Sequence, residues 1–407
     1  MRSLQNLCLL VLTLFLLYRG VIPAFTVVDT DFPNYYTASR LFIEGRDLKK
    51  IYDDSWFQNE ILRYGMNQAG KFSPFPPVTV FVMIPFSFLT PLNALRAWTL
   101  LNCGILAALI SLLSHLTGKP WRWSALLILA SGHALVNNFR FGQVYLFLTF
   151  FLLAAYSHWV KERQIQSGAL LGIAAAFKYF PVIFIPYFIV RREWKLVAAE
   201  VGSIIAVLLM GFATLGTDIH TEFFSAVLGN HLSGNIQNPF SATFQSWNSL
   251  FRRLFVVDPV FNPSPVLNLP WAFPAALAIT YAVVVFLLLK GIRKSRLLAD
   301  EQAPPVQFSL IILAGLMLLP VSATYHFLLL VIPVGILLSQ AGPRWSRWER
   351  AIVVMFTLIG FIPYGFVTGL DSHGLLSLLA YPRLLLMTGL FVIAAFRPSF
   401  ALRGETS

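Results

Sequence analysis

The sequence predicts an all-α protein whose helices cross a membrane many times. Of its 407 residues, 57% are hydrophobic and only 12% are charged, whereas soluble domains carry about 25% charged residues. Many uncharged segments of about 15–22 residues explain the difference, and each is near the length that crosses a bilayer. Lysine and arginine lie in the short loops between these segments. By the positive-inside rule we expect about twelve spans, with both termini in the cytoplasm.

The net charge of +12 does not indicate a nucleic-acid partner, because the basic residues of cytoplasmic loops account for it. The apolar run over residues 7–25 follows a basic start, and no clean small-residue cleavage site comes after it. We interpret this run as a retained first helix. Cys8 and Cys103 stand inside apolar runs, so we expect two buried packing residues and neither a disulfide nor a metal framework.

A polar stretch, DTDFPNYYTASRLFIEG over residues 29–45, follows the first span directly. Its carboxylates, Asp29 and Asp31, come shortly after the apolar run, which places them to meet a lipid-borne substrate at the level of the headgroups. Apolar residues then recur at helical spacing over residues 35–42 and 56–62. This pattern predicts two amphipathic helices on the membrane surface.

The proline-rich segment Ser73–Leu89 decides the topology of the later chain. If it stays at the outer interface, the loops assigned to the cytoplasm hold most of the lysine and arginine, and if it crosses, the positive-inside rule fails. We therefore expect an interfacial or re-entrant helix within a first outer loop over residues 26–92, and a second large outer loop over residues 217–270. No segment outside the membrane is long enough for another domain, so residues 1–407 should form a single integral membrane domain.

Lys178 stands out among the basic residues placed on the outer side. It lies in AAAFKYFPVIF, where two short apolar halves meet at residues 178–181. A lysine at membrane depth costs about 2.5–3.5 kcal/mol on insertion scales and by default marks a functional site. The alternative is that the side chain only extends its amine to the outer interface.

The second large loop mixes amide, hydroxyl and aromatic side chains in GNHLSGNIQNPFSATFQSWNSLFRRLF. This mixture suits carbohydrate recognition, although a solvated polar loop has a similar composition. The pair Arg252 and Arg253 indicates phosphate or lipid headgroups as partners. His326 stands at the outer end of a later span and is either an interfacial polar residue or part of the same site.

Four separated motifs follow one another over the first two thirds of the chain. The first is D-F-x-x-Y-Y-x-A at 31–38, with E-G at 44–45 and I-Y-D at 51–53, and the second is F-P-P with a following proline at 75–85. The third is G-Q-V at 142–144, with K-x-x-P at 178–181 and R-R-x-W at 191–194. The fourth is W-N-S-L-x-x-R at 247–253. In this order on a polytopic chain, they resemble the glycosyltransferase 87 family of polyprenol-phosphate-mannose-dependent mannosyltransferases, within the GT-C superfamily.

The resemblance implies a GT-C-type fold with its site on the outer face of a bacterial plasma membrane. It implies a polyprenyl-phosphate sugar donor, carrying mannose or a related hexose, and an acceptor that is a lipid-linked or envelope glycan. It implies no resident cofactor, and it makes Asp31, the acid of the first motif, the general base. Asp29 is outside the family pattern and is either a helper or a bystander.

The transfer reaction itself needs few groups. One carboxylate must accept the proton of the attacking sugar hydroxyl, and cations must stabilise the charge that grows on the leaving lipid phosphate. Lys178, His326 and Arg252 or Arg253 are our candidates for the cations, and we expect them to converge with Asp31 in one pocket. A single displacement would invert the anomeric centre without a metal. The full set of expected substrate-binding residues is Asp29, Tyr35, Arg140, Gln143, Lys178, Asn248, Arg252, Arg253 and His326.

Three other functions share parts of this pattern. A transporter or flippase of lipid-linked sugars would carry repeated halves and ionisable residues at the midplane of several spans, and no internal repeat is visible. A GT-C enzyme that glycosylates protein or lipid A is a second alternative, and a non-catalytic envelope scaffold is a third. Asp31 separates the enzymes from the rest, because neither a transporter nor a scaffold needs it.

Overall fold

The structure, a computed structural model, describes residues 2–235, 238–299, 302–342, 345–363, 365–366 and 374–396. These residues form helices and connecting turns, and within them the only β-type pairing is an isolated bridge between Asp258 and Asn262. The all-α prediction is confirmed. The chain divides into two compact units: the first unit holds residues 1–112 and 135–230, and the second unit holds residues 113–134 and 231–407. The single membrane domain expected over residues 1–407 stays a prediction.

The helices are numbered here in chain order. Up to residue 232 they are α1 (Arg2–Leu16), α2 (Ile22–Thr26), α3 (Phe32–Ile43), α4 (Asp54–Arg63), α5 (Pro91–Thr117), α6 (Trp121–Leu129), α7 (His133–Arg140), α8 (Tyr145–Trp159), α9 (Gln164–Phe177), α10 (Phe184–Val190), α11 (Trp194–Leu215), α12 (Thr217–Glu222) and α13 (Leu228–Leu232). The later ones are α14 (Trp247–Phe255), α15 (Ala272–Ser295), α16 (Ala303–Leu318), α17 (Val331–Ser339), α18 (Arg347–Phe361) and α19 (Pro382–Phe396). Short 3₁₀ segments cover Pro77–Phe81, Ile84–Phe86, Phe180–Ile183, Thr324–Leu330 and Gly374–Ala380, and π-helical turns cover Leu17–Val21 and Phe223–Val227.

Several helices have the length and composition of membrane spans. Within the described ranges, four helices qualify: Ser3–Thr26, Pro91–Thr117, Trp194–Leu215 and Ala272–Ser295. The pair α7 and α8 makes a fifth if their 118° bend belongs to one broken span. The other apolar helices are 10–17 residues long. The chain is thus an integral membrane protein with several spans, and the expected total of about twelve stays a prediction.

The long helices expose apolar side chains, as helices in contact with lipid do. Leu7 and Ile279 are among the exposed large residues. Cys8 and Cys103 lie on such exposed faces of α1 and α5 and are free thiols. The expected burial of both cysteines is therefore wrong, because an apolar run alone does not show which face of a helix meets lipid and which meets protein.

The chain between the first two long helices leaves and returns at one end of the first unit. The Arg96 guanidinium, in the second turn of α5, donates to the Phe25 carbonyl at the end of α2 over 2.9 Å. Between these points, the segment Pro77–Phe86 consists of two short 3₁₀ pieces. At about 2 Å rise per residue it is too short to cross a hydrocarbon core about 30 Å thick. The interfacial position of Ser73–Leu89 stays a prediction, to which both observations are favourable.

The first of the two helices predicted on the membrane surface is enclosed by protein. In α3, the residues from Phe32 to Ser39 are all buried. The Lys71 amide donates to the Asn34 side chain over 2.9 Å, and the Met83 amide donates to the Ser39 hydroxyl over 3.2 Å. The segment around residues 71–83 thus covers the polar positions of α3, and the expectation of a surface helix is wrong here. In α4, Phe57 and Ile61 of the predicted apolar positions are buried, whereas Leu62 is exposed, and the position of this helix on the membrane surface stays a prediction.

The two apolar halves expected around Lys178 are present as α9 and as the run from Phe180 to Val190. Close packing of α9 on α11 fixes this part of the first unit. A Cβ atom on Gly168 would lie 2.2 Å from the Leu196 carbonyl oxygen, and one on Gly172 would lie 2.3 Å from that of Glu200. Only glycine permits this approach of two backbones, as in many membrane helix pairs.

The core of the second unit is formed by α16 and α17, of which nearly all apolar side chains are buried, together with one side of α19. On the other side of α19, Leu385, Val392 and Phe396 are exposed. Arg383, in the first turn of α19, is fully buried. Its Nε atom donates to the Ile359 carbonyl over 3.0 Å and its guanidinium also contacts the Ile362 carbonyl. These bonds satisfy carbonyl groups at the C-terminus of α18, where a cation also complements the helix dipole.

Candidate functional site

The first unit gathers six of the predicted site residues around the start of α3. Asp31 is the residue directly before α3. Its carboxylate does not cap the helix. It accepts instead a hydrogen bond from Gln143 Nε2 over 2.6 Å. The acid expected to act as base is therefore held by a residue 112 positions away in the sequence.

Gln143 connects Asp31 to Tyr35. The Tyr35 hydroxyl donates to Gln143 Oε1 over 2.9 Å. Tyr35 and Gln143 are both fully buried, whereas Asp31 is partly exposed. Burial raises the pKa of the Tyr35 hydroxyl well above its usual value, and the nearby Asp31 charge raises it further. The tyrosine thus stays protonated and is the donor in this bond.

The turn between α7 and α8 sets the position of Gln143. Gly142 has a φ of +62°, and a Cβ atom on it would lie 2.7 Å from Phe32 Cδ2. The Gln143 amide donates to the Asn138 carbonyl over 2.9 Å. The Asn138 side chain accepts from the Leu146 amide and donates to Asn102, each over 3.0 Å. Glycine at position 142 is required both by the backbone angle and by the space that Phe32 occupies.

Asp29 has a different partner from Asp31. Arg140 Nε donates to Asp29 Oδ2 over 2.6 Å, and the Thr30 amide donates to Asp29 Oδ1 over 2.8 Å. Both side chains of the ion pair are partly exposed. Asp29 is thus held by a cation, whereas the amide of Gln143, which binds Asp31, is neutral.

Lys178 lies against aromatic rings of the same unit, Tyr35 among them. The residue ends α9 with an extended backbone, φ −145° and ψ 99°, which turns it out of the helix. Its ammonium nitrogen lies 4.3 Å from the centre of the Phe75 ring, 5.4 Å from that of Tyr145 and 5.8 Å from that of Tyr35. The Asp31 carboxylate also acts electrostatically on this ammonium group. The Lys178 amine is therefore enclosed inside the first unit by three aromatic faces.

The remaining predicted residues belong to the second unit, where Asn248, Arg252 and Arg253 lie on α14. Arg252 Nε donates to Asn248 Oδ1 over 2.9 Å, and Arg252 Nη2 donates to Asn235 Oδ1 over 2.8 Å. The Arg252 guanidinium also packs on the Phe273 ring at 4.7 Å. Arg253 Nε donates to the Phe240 carbonyl over 3.0 Å. These bonds hold the polar loop before α14, and a phosphate-binding role of either arginine stays a prediction.

His326 follows a loop that is attached to the start of α14. The Gln245 amide donates to the Ser322 carbonyl over 2.9 Å, and the Ser246 hydroxyl donates to the Pro320 carbonyl over 2.7 Å. His326 Nδ1 lies 3.1 Å from the Ala323 carbonyl, and its ring stacks on Tyr325. The second unit therefore brings together the S-x-x-Y-H and W-N-S-L-x-x-R segments. The expected convergence of its residues with Asp31 stays a prediction.

Sequence reasoning did not assign a role to three side chains of the first unit. Phe75 and Tyr145 contact Lys178, and Asn138 fixes the turn that carries Gln143. Phe75 and Tyr145 stand within or directly beside the F-P-P and G-Q-V motifs, whereas nothing in the sequence marks Asn138. In the described part of the chain, no three His, Cys, Asp or Glu side chains form a group that could hold a metal ion. The expectation of a reaction without a metal or cofactor stays a prediction.

The fold and this cluster define a class. It is a helical membrane protein in which a carboxylate that follows the first span lies in one unit with a neutral amide and a lysine from later helices. The sequence model of glycosyltransferase family 87 matches residues 74–320, more than half of the chain. The chain belongs to glycosyltransferase family 87 and is a membrane glycosyltransferase. Asp29, Asp31 and Tyr35 precede the matched residues, so their roles do not follow from the family match.

The curated relatives are mannosyltransferases of mycobacteria. A polyprenol-phosphate-mannose-dependent alpha-(1-2)-phosphatidylinositol mannoside mannosyltransferase of Mycolicibacterium smegmatis is 25% identical, over 79% of this chain and 72% of the relative. A protein of the same name from Mycobacterium tuberculosis is 24% identical, over 71% of this chain and 66% of the relative. The polyprenol-phosphate-mannose-dependent alpha-(1-2)-phosphatidylinositol pentamannoside mannosyltransferase of M. smegmatis is 28% identical, over 63% of this chain and 58% of the relative.

Proposed function

We propose that this enzyme transfers mannose from polyprenyl-phosphate mannose to a lipid-linked or envelope glycan, at the outer face of a bacterial plasma membrane. The names of the curated relatives support this donor, and they make phosphatidylinositol mannosides the first acceptors to test. The observation that carries the proposal is the interaction of Gln143 and Lys178 with Asp31, the acid that directly follows the first span in the chain. A donor whose phosphate is anchored in the bilayer presents its sugar at this level.

Asp31 is the general base in this proposal. The acceptor hydroxyl oxygen attacks the anomeric carbon, and a new glycosidic bond forms while the bond from that carbon to the phosphate oxygen breaks. The hydroxyl proton passes to the Asp31 carboxylate, and polyprenyl phosphate leaves with the electron pair. A carboxylate placed to accept this proton typically contributes about 10²–10⁴-fold in rate. One displacement of this kind inverts the anomeric centre.

The environment of the two acids favours Asp31 over Asp29. Protonation of Asp29 would disrupt the 2.6 Å charge-assisted bond from Arg140. Asp31 accepts from a neutral amide and is also the acid that acts on Lys178. We therefore assign Asp29 and Arg140 to holding the chain that connects α2 to α3, and proton transfer to Asp31.

Lys178 supplies the cation for the leaving phosphate. A positive charge aimed at the phosphate is worth more as the bond to the sugar breaks, because negative charge accumulates there in the transition state. The rings of Phe75 and Tyr145 hold the ammonium group by cation–π contact. Such contacts position a cation without a second carboxylate that would compete with the phosphate for its charge.

The test is transfer of labelled mannose by the purified, full-length protein. The donor is short-chain polyprenyl-phosphate mannose, the acceptors are phosphatidylinositol mannosides, and a nucleotide-activated mannose is the control donor. We expect transfer from the lipid donor alone, with inverted configuration at the anomeric carbon of the product. Transfer from the nucleotide donor instead, or movement of lipid-linked mannose across proteoliposomes without any glycosidic product, would contradict the proposal.

A further inference from the structure

Gln143 has both ends of its side-chain amide engaged within the protein. Oε1 accepts from the Tyr35 hydroxyl over 2.9 Å, and Nε2 donates to Asp31 Oδ2 over 2.6 Å. The residue is fully buried. The substrate-binding role expected from the sequence would require the amide to exchange one of these partners for the sugar, whereas the observed bonds already occupy its oxygen and one of its N–H groups.

We infer that Gln143 is a positioning residue, which holds the Asp31 carboxylate in the orientation that accepts the proton. This inference rests on the proposed role of Asp31 as base. The Tyr35 hydroxyl has a role in the same arrangement. Because it donates to Oε1, it fixes the amide so that the NH₂ group, and not the carbonyl, faces Asp31.

A neutral donor suits this purpose better than a cation. The short bond from Nε2 stabilises the ionised carboxylate and restrains its rotation, and it adds no full positive charge at the oxygen that must take up a proton. Arg140 on Asp29 shows the contrasting arrangement in the same unit, with a guanidinium bonded to the carboxylate over 2.6 Å. Asp29 therefore accepts directly from a guanidinium, whereas Gln143, which is bonded to Asp31, is a neutral amide. Lys178 and Tyr145 also face Asp31 and interact with it electrostatically, and both stay unchanged in the variants compared below.

The backbone around Gln143 is fixed independently of Asp31. Its amide is bonded to the Asn138 carbonyl, and Asn138 is bonded in turn to Leu146 and Asn102. Asn102 and Asn138 are both buried. The start of α3 approaches this turn from the other side, where Phe32 packs against Gly142. Gln143 thus projects from a rigid turn, as a side chain that positions another group must.

The experiment compares pH–rate profiles of kcat/KM for Gln143→Met and Tyr35→Phe with the wild type. Methionine keeps the length of glutamine and removes both hydrogen bonds. Without the donor, the ionised form of Asp31 is less stable, so the acid limb of the profile should move to higher pH by about one unit, the order expected for one bond to a charged group. The maximal kcat should also fall about tenfold, through lost orientation.

Tyr35→Phe should move the acid limb in the same direction by a smaller amount, since the amide remains but can turn. In the double variant, Tyr35→Phe should add no shift to that of Gln143→Met, because the hydroxyl acts through the amide. Tyr36→Phe is the matched control. It removes a hydroxyl of the same buried helix, one that donates to the Leu89 carbonyl over 2.7 Å, and it should leave the acid limb unchanged.

An acid limb that stays in place in Gln143→Met, or equal shifts in Tyr35→Phe and Tyr36→Phe, would overturn the positioning role. A rise of KM for the acceptor with unchanged kcat and unchanged pH profile would also overturn it, since that result indicates direct substrate binding. If Gln143→Met does not fold, Tyr35→Phe against Tyr36→Phe decides the question alone. Wild-type turnover is measured first, so failure of the proposed function is seen separately.

Discussion

Replacement of Gly142 by alanine should lower activity although it substitutes none of the side chains of the site. Gly142 has a φ of +62°, which costs a residue with a Cβ about 1–2 kcal/mol. The added Cβ would also lie 2.7 Å from Phe32 Cδ2 and 2.9 Å from Phe32 Cβ. Phe32 is fully buried, so the turn and α3 must move apart, at an overpacking cost of about 1–3 kcal/mol. We expect a total loss of about 2–5 kcal/mol in stability.

The movement separates the two sides of the bond between Gln143 and Asp31, because Gln143 follows Gly142 and Asp31 precedes Phe32 in the chain. A displacement of about 1 Å at a catalytic group can cost about 100-fold in rate. We therefore expect kcat of Gly142→Ala to fall about 100-fold, more than stability alone predicts at a temperature where the variant is folded.

Gly65→Ala is the matched control, since Gly65 has a φ of +78° but no atom within 4 Å of its added Cβ. It should lose about 1–2 kcal/mol and keep wild-type kcat. The assays are thermal unfolding in detergent and labelled-mannose transfer at a temperature at which all three proteins are folded. Gly142→Ala with the stability and turnover of Gly65→Ala would refute the reasoning.

Two further predictions concern Lys178 and the start of α14. Lys178→Met keeps the contact with Phe75 but removes the cation from the leaving phosphate. At saturating donor, kcat should therefore fall about 100-fold. Unchanged kcat would exclude this role of Lys178. Ser246→Ala removes the hydroxyl that caps α14 and donates to the Pro320 carbonyl. Ser246→Ala should lower the free energy of unfolding by about 1–2 kcal/mol. Ser55→Ala, at an exposed position, is the control and should lower it by less than about 0.5 kcal/mol. Equal losses in the two variants would contradict the capping role of Ser246.

The apolar periodicity of the chain predicts helices well, but it cannot show how much of each helix is covered. The sequence around Tyr35 has the spacing of an amphipathic helix, yet α3 is buried on the positions that carry Asn34 and Ser39. Their hydrogen-bond partners, Lys71 and Met83, are 37 and 44 residues away. A local pattern contains no information on contacts at that distance, so the burial of α3 could not be predicted from it.

The sequence draws attention to a residue that violates the expectation for its surroundings. Lys178 is such a residue, because a cation between two apolar halves is costly, and in the structure it interacts electrostatically with Asp31. Gln143 is an ordinary polar residue, and only the fold reveals the bonds that it forms with Tyr35 and Asp31. The number of spans is harder still, since short apolar helices such as α9 and α10 have the composition of spans without their length.

The central claim is that Asp31 takes the proton of the acceptor hydroxyl, and turnover of Asp31→Asn compared with Asp29→Asn tests it most directly. Asparagine keeps the shape of the side chain but cannot serve as the base. Asp31→Asn should insert, fold and bind polyprenyl-phosphate mannose as the wild type does, while transfer of labelled mannose falls about 10²–10⁴-fold. Asp29→Asn should lose much less. Near-normal transfer by Asp31→Asn, or equal losses in the two variants, would contradict the assignment of Asp31 as the base.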